Sequence, residues 1–146
     1  MASSQQGTRS VDNLDPEQRR KTMRAVRSRD TTPEIIVRRM AHRLGLRFRL
    51  HRRDLPGNPD LVFPRYHLAV FVHGCFWHRH PDCDHATMPR TRVDYWTNKF
   101  NQTIARDAAA IEGLKSIGWR ALVLWECRLR EPEYIKNALR AKTTVD

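Results

Sequence analysis

The 146-residue chain is short of long apolar runs: none approaches the roughly eighteen residues that a membrane-spanning helix needs. Met1 to Ser10 is polar and lacks the apolar centre of a secretion signal, so a cytoplasmic protein is expected. Cysteine is scarce. Three cysteines cannot all pair within one chain, and in a reducing compartment thiols serve as metal ligands or core side chains. No internal repeat is present. Acidic residues are few: 16 Asp and Glu stand against 27 Lys and Arg, a formal charge of +11. The excess is concentrated, since residues 1–53 hold 14 of the basic and 5 of the acidic side chains, or +9 of the +11. Such a field attracts polyanions, with nucleic acid the leading candidate. What remains is ordinary: 40% hydrophobic and 29% charged residues describe one globular domain.

Residues 1–19 read as an arm without fixed structure, although Asp15-Pro16-Glu17 has the residues of a helix start. Segment 20–30 is basic and includes Arg24 and Arg27, with Met23 and Val26 as its only large apolar groups. It suits a segment ordered by an anionic partner. Thr31-Thr32-Pro33-Glu34 combines a capping box with a first-turn proline. Ile36, Met40 and Leu44 then share a helix face, and Gly45 suits the stop. Leu46–Leu50 alternates as a half-exposed strand, and Pro56-Gly57-Asn58-Pro59 marks a turn. Asp60–Phe63 resumes as a strand, Pro64–His67 turns, and Leu68–Val72 reads as a central buried strand. From Asp94 to Ile117 the helical stripe Trp96, Phe100, Ile104, Ala108, Ile111, Leu114 precedes Gly118. Trp119–Trp125 reads as a further buried strand and Pro132–Arg140 as a last short helix. The order α-β-β-β-α-β describes an α/β core in a single domain over 20–140, with residues 141–146 as a tail.

The densest chemistry lies in Val70–Cys83, V-F-V-H-G-C-F-W-H-R-H-P-D-C. Cys75, His80 and Cys83 have the spacing C-x4-H-x2-C, and Cys127 follows the last strand. Four such donors make a closed structural zinc site that would pin the loop to the sheet; on spacing alone His78 or His85 serves as well as His80. Asp60, at a strand start after a proline-rich turn, is a natural Mg²⁺ carboxylate. Glu34 and Asp107 taken singly read as a cap partner and a solvated helix carboxylate, and His73 and His78 as loop histidines. Their convergence on one sheet edge beneath a basic surface would make a nuclease. Phe76 and Trp77 read as core from periodicity; exposed, they would suit stacking on bases. Trp96 and Trp125 read as core or edge packing.

H-G-C-F-W-H resembles the very short patch repair endonucleases, bacterial enzymes that nick DNA beside T:G mismatches. The likeness extends through K-T-M-R-A-V-R-S-R-D-T, L-P-G-N-P-D-L-V-F, F-x3-I-x-R-D and G-W-R-A-L-V-L-W-E-C, roughly Arg20 to Arg130 in the family's order. It implies a restriction-endonuclease-like α/β core. Position by position it implies Asp60 and the Val72 carbonyl as Mg²⁺ ligands and His78 as general base, with Asp107 orienting it. It implies Glu34 and His73 around the metal-bound water, and Cys75, His80, Cys83 and Cys127 as zinc ligands. Met23, Phe76 and Trp77 match intercalating residues, and Trp96 an aromatic near them. Two departures stand out. Pro81-Asp82 puts two residues between His80 and Cys83, where relatives often have one. Where the wider nuclease superfamily has acidic-x-Lys on its third strand, this chain has Phe71-Val72-His73, so the chemistry falls on histidine.

The expectation is therefore a monomeric, bacterial, nucleoid-associated enzyme that uses Mg²⁺ and structural Zn²⁺. It would nick mismatched double-stranded DNA 5′ to the thymine of a T:G pair, in contact with other mismatch-repair proteins. Two rivals are a zinc-stabilised, non-catalytic DNA-binding module and an endonuclease of relaxed mismatch preference.

Overall fold

Pro33 sits in the first turn of helix α1 (Thr32–Arg43), where a missing N–H costs no hydrogen bond. The helix ends at Gly45, whose φ of +74° lets the Gly45 N–H reach the His42 carbonyl and the Leu46 N–H reach the Ala41 carbonyl, both at 3.0 Å. The computed structural model describes residues 31–144. The expected arm over 1–19, the basic segment 20–30 and the last two residues of the expected tail lie outside the described residues.

Strand β1 (Arg49–Leu50) antiparallels β2 (Leu61–Phe63), which antiparallels β3 (Leu68–His73), and β3 runs parallel to β4 (Arg120–Trp125). The expected strand over 46–50 thus ladders only at its last two residues. Its alternation survives as burial, with Leu46, Phe48 and Leu50 half-buried and Arg47 and Arg49 exposed. A single turn of 3-10 helix, Pro64–Tyr66, joins β2 to β3. Helix α2 (Val93–Ser116) provides the long crossover that the parallel β3–β4 pair requires. Helix α3 (Pro132–Thr143) follows β4 and runs three residues past the expected end at Arg140, because Ala141 and Lys142 favour helix and no glycine intervenes.

The core is three-layered, because the strands' period of two sends alternate side chains to opposite faces. Leu61, Phe63, Leu68, Val70 and Leu124 face α1 and α3, where Val37, Met40, Ala41, Ile135 and Leu139 meet them. Val62, Ala69 and Phe71 face the other way, onto Leu114 of α2 and Leu55 of the preceding loop. Strand β3 is buried almost throughout, as expected of a central strand. Strand β4 takes the sheet edge instead, and only Leu124 of its six residues is fully buried.

The stripe of α2 differs from the one expected. Ile104 is 48% exposed and Ala108 is exposed, while Phe100, Thr103 and Leu114 are buried and Ala110 packs on the core. The inward stripe is 100, 103, 107, 110 and 114, so Asp107 lies on the face turned to the sheet.

The 51–59 loop is seated against this helix at Gly57. Its φ is +80°, and an added Cβ would lie 2.5 Å from the Ala110 Cβ and 3.0 Å from the Phe71 ring. Gly57→Ala is expected to cost about 2–4 kcal/mol, the sum of left-handed strain and overpacking. Denaturant unfolding checks this, and a change below about 0.5 kcal/mol, the usual range for a surface substitution, would mean the loop is not seated there.

Candidate active site and metal centre

After His73 the chain leaves the sheet and winds tightly: His78 N–H donates to the Gly74 carbonyl and His80 N–H to the Cys75 carbonyl, both at 3.1 Å. The winding turns the Cys75, His80 and Cys83 side chains toward Cys127, which sits in the 3-10 turn Glu126–Arg128 beyond β4. Ligand atoms of all four lie within 4.8 Å of one another. His80 Nδ1 is 3.6 Å from Cys75 Sγ and 3.5 Å from Cys127 Sγ. In a tetrahedral site with metal–sulfur and metal–nitrogen bonds of about 2.3 and 2.0–2.1 Å, the S···N edge is about 3.6 Å. The donor set and its spacing therefore fit a cation, and His80, not His78 or His85, faces the thiols. Burial pushes the Cys75 thiol up to about 12, so without a cation it stays neutral at ordinary pH.

A second cluster forms at the C-terminal end of β3. Asp60 precedes β2, and its Oδ2 accepts the Val72 N–H at 2.6 Å. Burial above all, and then the charge of the adjacent Glu34 carboxylate, push Asp60 up to about 7 against the pull of the Val72 N–H. Glu34 comes from α1, where Arg38 donates to it at 3.3 Å. Two carboxylates drawn together in a partly buried corner fit a bound cation, which would offset the burial and repulsion that now favour protonation.

At the end of β3 the His73 and His78 rings stack, with centroids 3.8 Å apart and planes 5° from parallel. Burial, and next the charge of His78, hold His73 down to about 4. It is therefore neutral at physiological pH. His78 Nδ1 lies 2.7 Å from Asp107 Oδ2, with the two side chains 27% and 25% exposed. A carboxylate only accepts, so Nδ1 carries the proton, and in the neutral ring Nε2 has the lone pair that can take a proton from water. Asp107 reaches His78 because it occupies the inward stripe of α2.

Phe76 and Trp77 are neither core nor fully exposed. Both are half-buried in an aromatic group, with Phe76 edge-on to Phe100 at 5.2 Å and to Trp96 at 5.8 Å, and Trp77 tilted against Trp96 at 5.7 Å. Sequence reasoning missed Arg79. Its guanidinium donates to the Phe76, Ala86 and Thr87 carbonyls at 2.9–3.1 Å and lies 3.9 Å over the Phe100 ring. A non-glycine φ of +54° at Arg79 is tolerated because these contacts over-determine the loop. An arginine between two aromatics and a metal-type loop was the available signal. Met23, Arg24 and Arg27 lie outside the described residues. Trp96 is half-buried beside Phe76 and Trp77.

Comparison with known proteins assigns this arrangement to a class, the DNA endonucleases. The profile of the family described as "DNA mismatch endonuclease Vsr" matches residues 11–85. The chain is 48% identical over 130 residues to "Type II nicking enzyme V.XorIIP" of Xanthomonas oryzae pv. oryzae, covering 89% of this chain and 95% of that protein. It is 41% identical over 127 residues to "DNA mismatch endonuclease Vsr" of Escherichia coli K12, covering 87% and 81%. It is 33% identical over 117 residues to "Type II nicking enzyme V.NmeAIP" of Neisseria meningitidis, covering 80% and 83%. The chain belongs to the Vsr family of DNA mismatch endonucleases. Among the described residues no helix is long and apolar enough to cross a membrane.

Proposed function

We propose that the protein is a Mg²⁺-dependent endonuclease that nicks one strand of double-stranded DNA 5′ to the thymine of a T:G mismatch and so opens very short patch repair. The observation that carries the reading is the 2.7 Å His78–Asp107 contact. It supplies an oriented base, and the Asp60–Glu34 pair supplies a cation-ready carboxylate. Asp60 and the Val72 carbonyl would hold Mg²⁺, which when bound polarises the scissile phosphate and stabilises the leaving oxygen. His78 Nε2 takes the proton of the attacking water, and Asp107 holds the ring in the tautomer that leaves Nε2 free. Glu34 and the neutral His73 border the water's position. Zn²⁺ on Cys75, His80, Cys83 and Cys127 would hold the loop that carries the base.

Phe76 and Trp77, half-buried against Trp96, keep faces available to enter the stack beside a mismatch, which costs less to unstack than a matched pair. Segment 20–30, with Arg24 and Arg27 on phosphates and Met23 in the groove, supplies the second grip. Names of relatives as mismatch endonuclease and nicking enzymes support the reading.

The test is a panel of duplexes carrying each mismatch, incubated with Mg²⁺. Nicking confined to T:G, 5′ to the thymine, is the expected result. Equal cutting of every mismatch would leave a relaxed endonuclease. Binding without cutting under any divalent metal would leave a DNA-binding module.

A further inference from the structure

Trp125 closes β4 and is tied from three sides. Its backbone is the register partner of His73 across the parallel β3–β4 pair. Its N–H donates to the Tyr134 hydroxyl of α3 at 3.1 Å. Its indole lies flat on His80, with centroids 4.2 Å apart and planes 15° from parallel, and meets the His73 ring edge-on at 5.3 Å and 72°. Together with the His73–His78 stack at 3.8 Å, four rings run in unbroken contact from the Cys/His centre to the histidine paired with Asp107. Aromatic contacts of this kind hold ring orientation, and terminal imidazole torsions are otherwise broad.

We propose that Trp125 is a positioning residue for the nicking reaction. Wedged between His80 and His73, it carries the rigid geometry of the Cys/His centre to the His73–His78 stack and so sets the plane of His78. This rests on the nuclease reading above. Trp125 makes no hydrogen bond through its ring to either histidine, so its action is through packing. Without the indole, His73 loses its edge contact and keeps only the tilted Phe71 ring at 5.8 Å, so the stack loses its backing and His78 can swing about the Asp107 bond. A displaced base slows the chemical step while leaving DNA binding alone.

The experiment uses the full-length, zinc-loaded protein. Trp125→Met keeps an apolar filling without a ring plane, and Trp125→Phe keeps a ring. Metal content, kcat and KM on a T:G duplex with Mg²⁺, and the ring-proton NMR shifts of His73 and His78 are measured for each. Trp125→Met is expected to hold one zinc per chain, keep KM within about twofold and lose kcat by about 10- to 100-fold, as expected of an outer-shell positioning group. Its histidine shifts are expected to move, and Trp125→Phe to recover most of both. A Trp125→Met protein with wild-type kcat and unmoved shifts overturns the proposal. So does a loss cured by added zinc, which would make Trp125 a guardian of the metal alone. Should Trp125→Met not fold, Trp125→Leu, which also fills the site without a ring, decides: a lowered kcat at unchanged KM with shifted histidine resonances supports positioning, and wild-type values refute it. If the wild-type protein nicks no mismatch, the nuclease reading fails on its own, and the shifts still report whether Trp125 orients the histidines.

Discussion

Asp60→Asn is expected to lower nicking of a T:G duplex by about 10³-fold or more while leaving the fold intact, since a bound cation contributes several kcal/mol to the transition state. The amide keeps the shape of the side chain and an oxygen for the Val72 N–H, which donates at 2.6 Å. It loses the charge that a cation needs. Wild-type cutting by this variant would remove Asp60 from the mechanism.

The same substitution has a pH signature in metal-free protein. Asp60 is held up to about 7 in the fold against an ordinary 3.8. The native state therefore binds more protons than the unfolded chain between these values, and this group's contribution to stability is lost as pH rises from about 4 to about 7. His73 acts oppositely. Held down to about 4 from 6.5, it binds its proton more readily when unfolded, so its contribution to stability rises with pH from about 4 to 6.5. In the wild type the two slopes oppose. In Asp60→Asn only the His73 slope remains, so stability should climb between pH 4 and 6.5. At pH 7, without divalent cations, the variant should be the more stable of the two. Mg²⁺ should raise the melting temperature of the wild type and not of the variant. Denaturant curves at half-unit pH intervals, with and without Mg²⁺, measure all of this.

Loss of the Cys/His metal is the second large effect. Cys127→Ser, or a strong chelator, is expected to lower the melting temperature by roughly 10 °C or more, since a structural metal contributes folding free energy directly. Cys127 is the one donor of the four that comes from outside the 75–83 loop. Without it the remaining three hold a cation but no longer fasten the loop to the sheet. The contacts of Arg79 to three carbonyls and to Phe100 would keep some of the loop's shape, so the loss should show first as altered tryptophan fluorescence from Trp77 and Trp125. Calorimetry alongside metal analysis reads the result. One zinc per wild-type chain and a large drop in the variant are expected, whereas equal melting temperatures would show that the centre does not staple the fold.

Local chemistry made much of this protein legible. The first-turn proline and terminal glycine of α1, the Pro56–Pro59 turn and the apolar run of β3 are short-range signals, and each appears where expected. The Cys75, His80 and Cys83 spacing pointed to a metal loop for the same reason. Where the outcome turned on a rotation or an approach between elements, the sequence was silent or misleading. The stripe of α2 is the clearest case. A face through Ile104 and Ala108 is apolar and was the natural choice, yet the helix turns Thr103 and Asp107 inward because its end carries Phe100 and Leu114 to the core. The cost of an acid on the inward face is offset by His78, a partner 29 residues away that no periodicity can see.

The rings divide the same way. Phe76 and Trp77 have the composition of core, but they sit where a loop leaves the sheet, and neighbours distant in sequence such as Trp96 and Phe100 contribute to their half-burial. Trp125 reads as core or edge packing, and its register beside His73 came only with the parallel β3–β4 pair.

The sequence by itself determined a basic α/β chain with a cysteine–histidine loop after a buried strand, and its motifs sufficed for the family. Those properties reside in composition, spacing and short-range periodicity. Only the tertiary structure decided that His80 faces the thiols, that Glu34 and Asp60 share a partly buried corner, and that Asp107 meets His78. Each is a contact between elements far apart in the chain, fixed by how helices and strands pack rather than by what any one of them prefers alone.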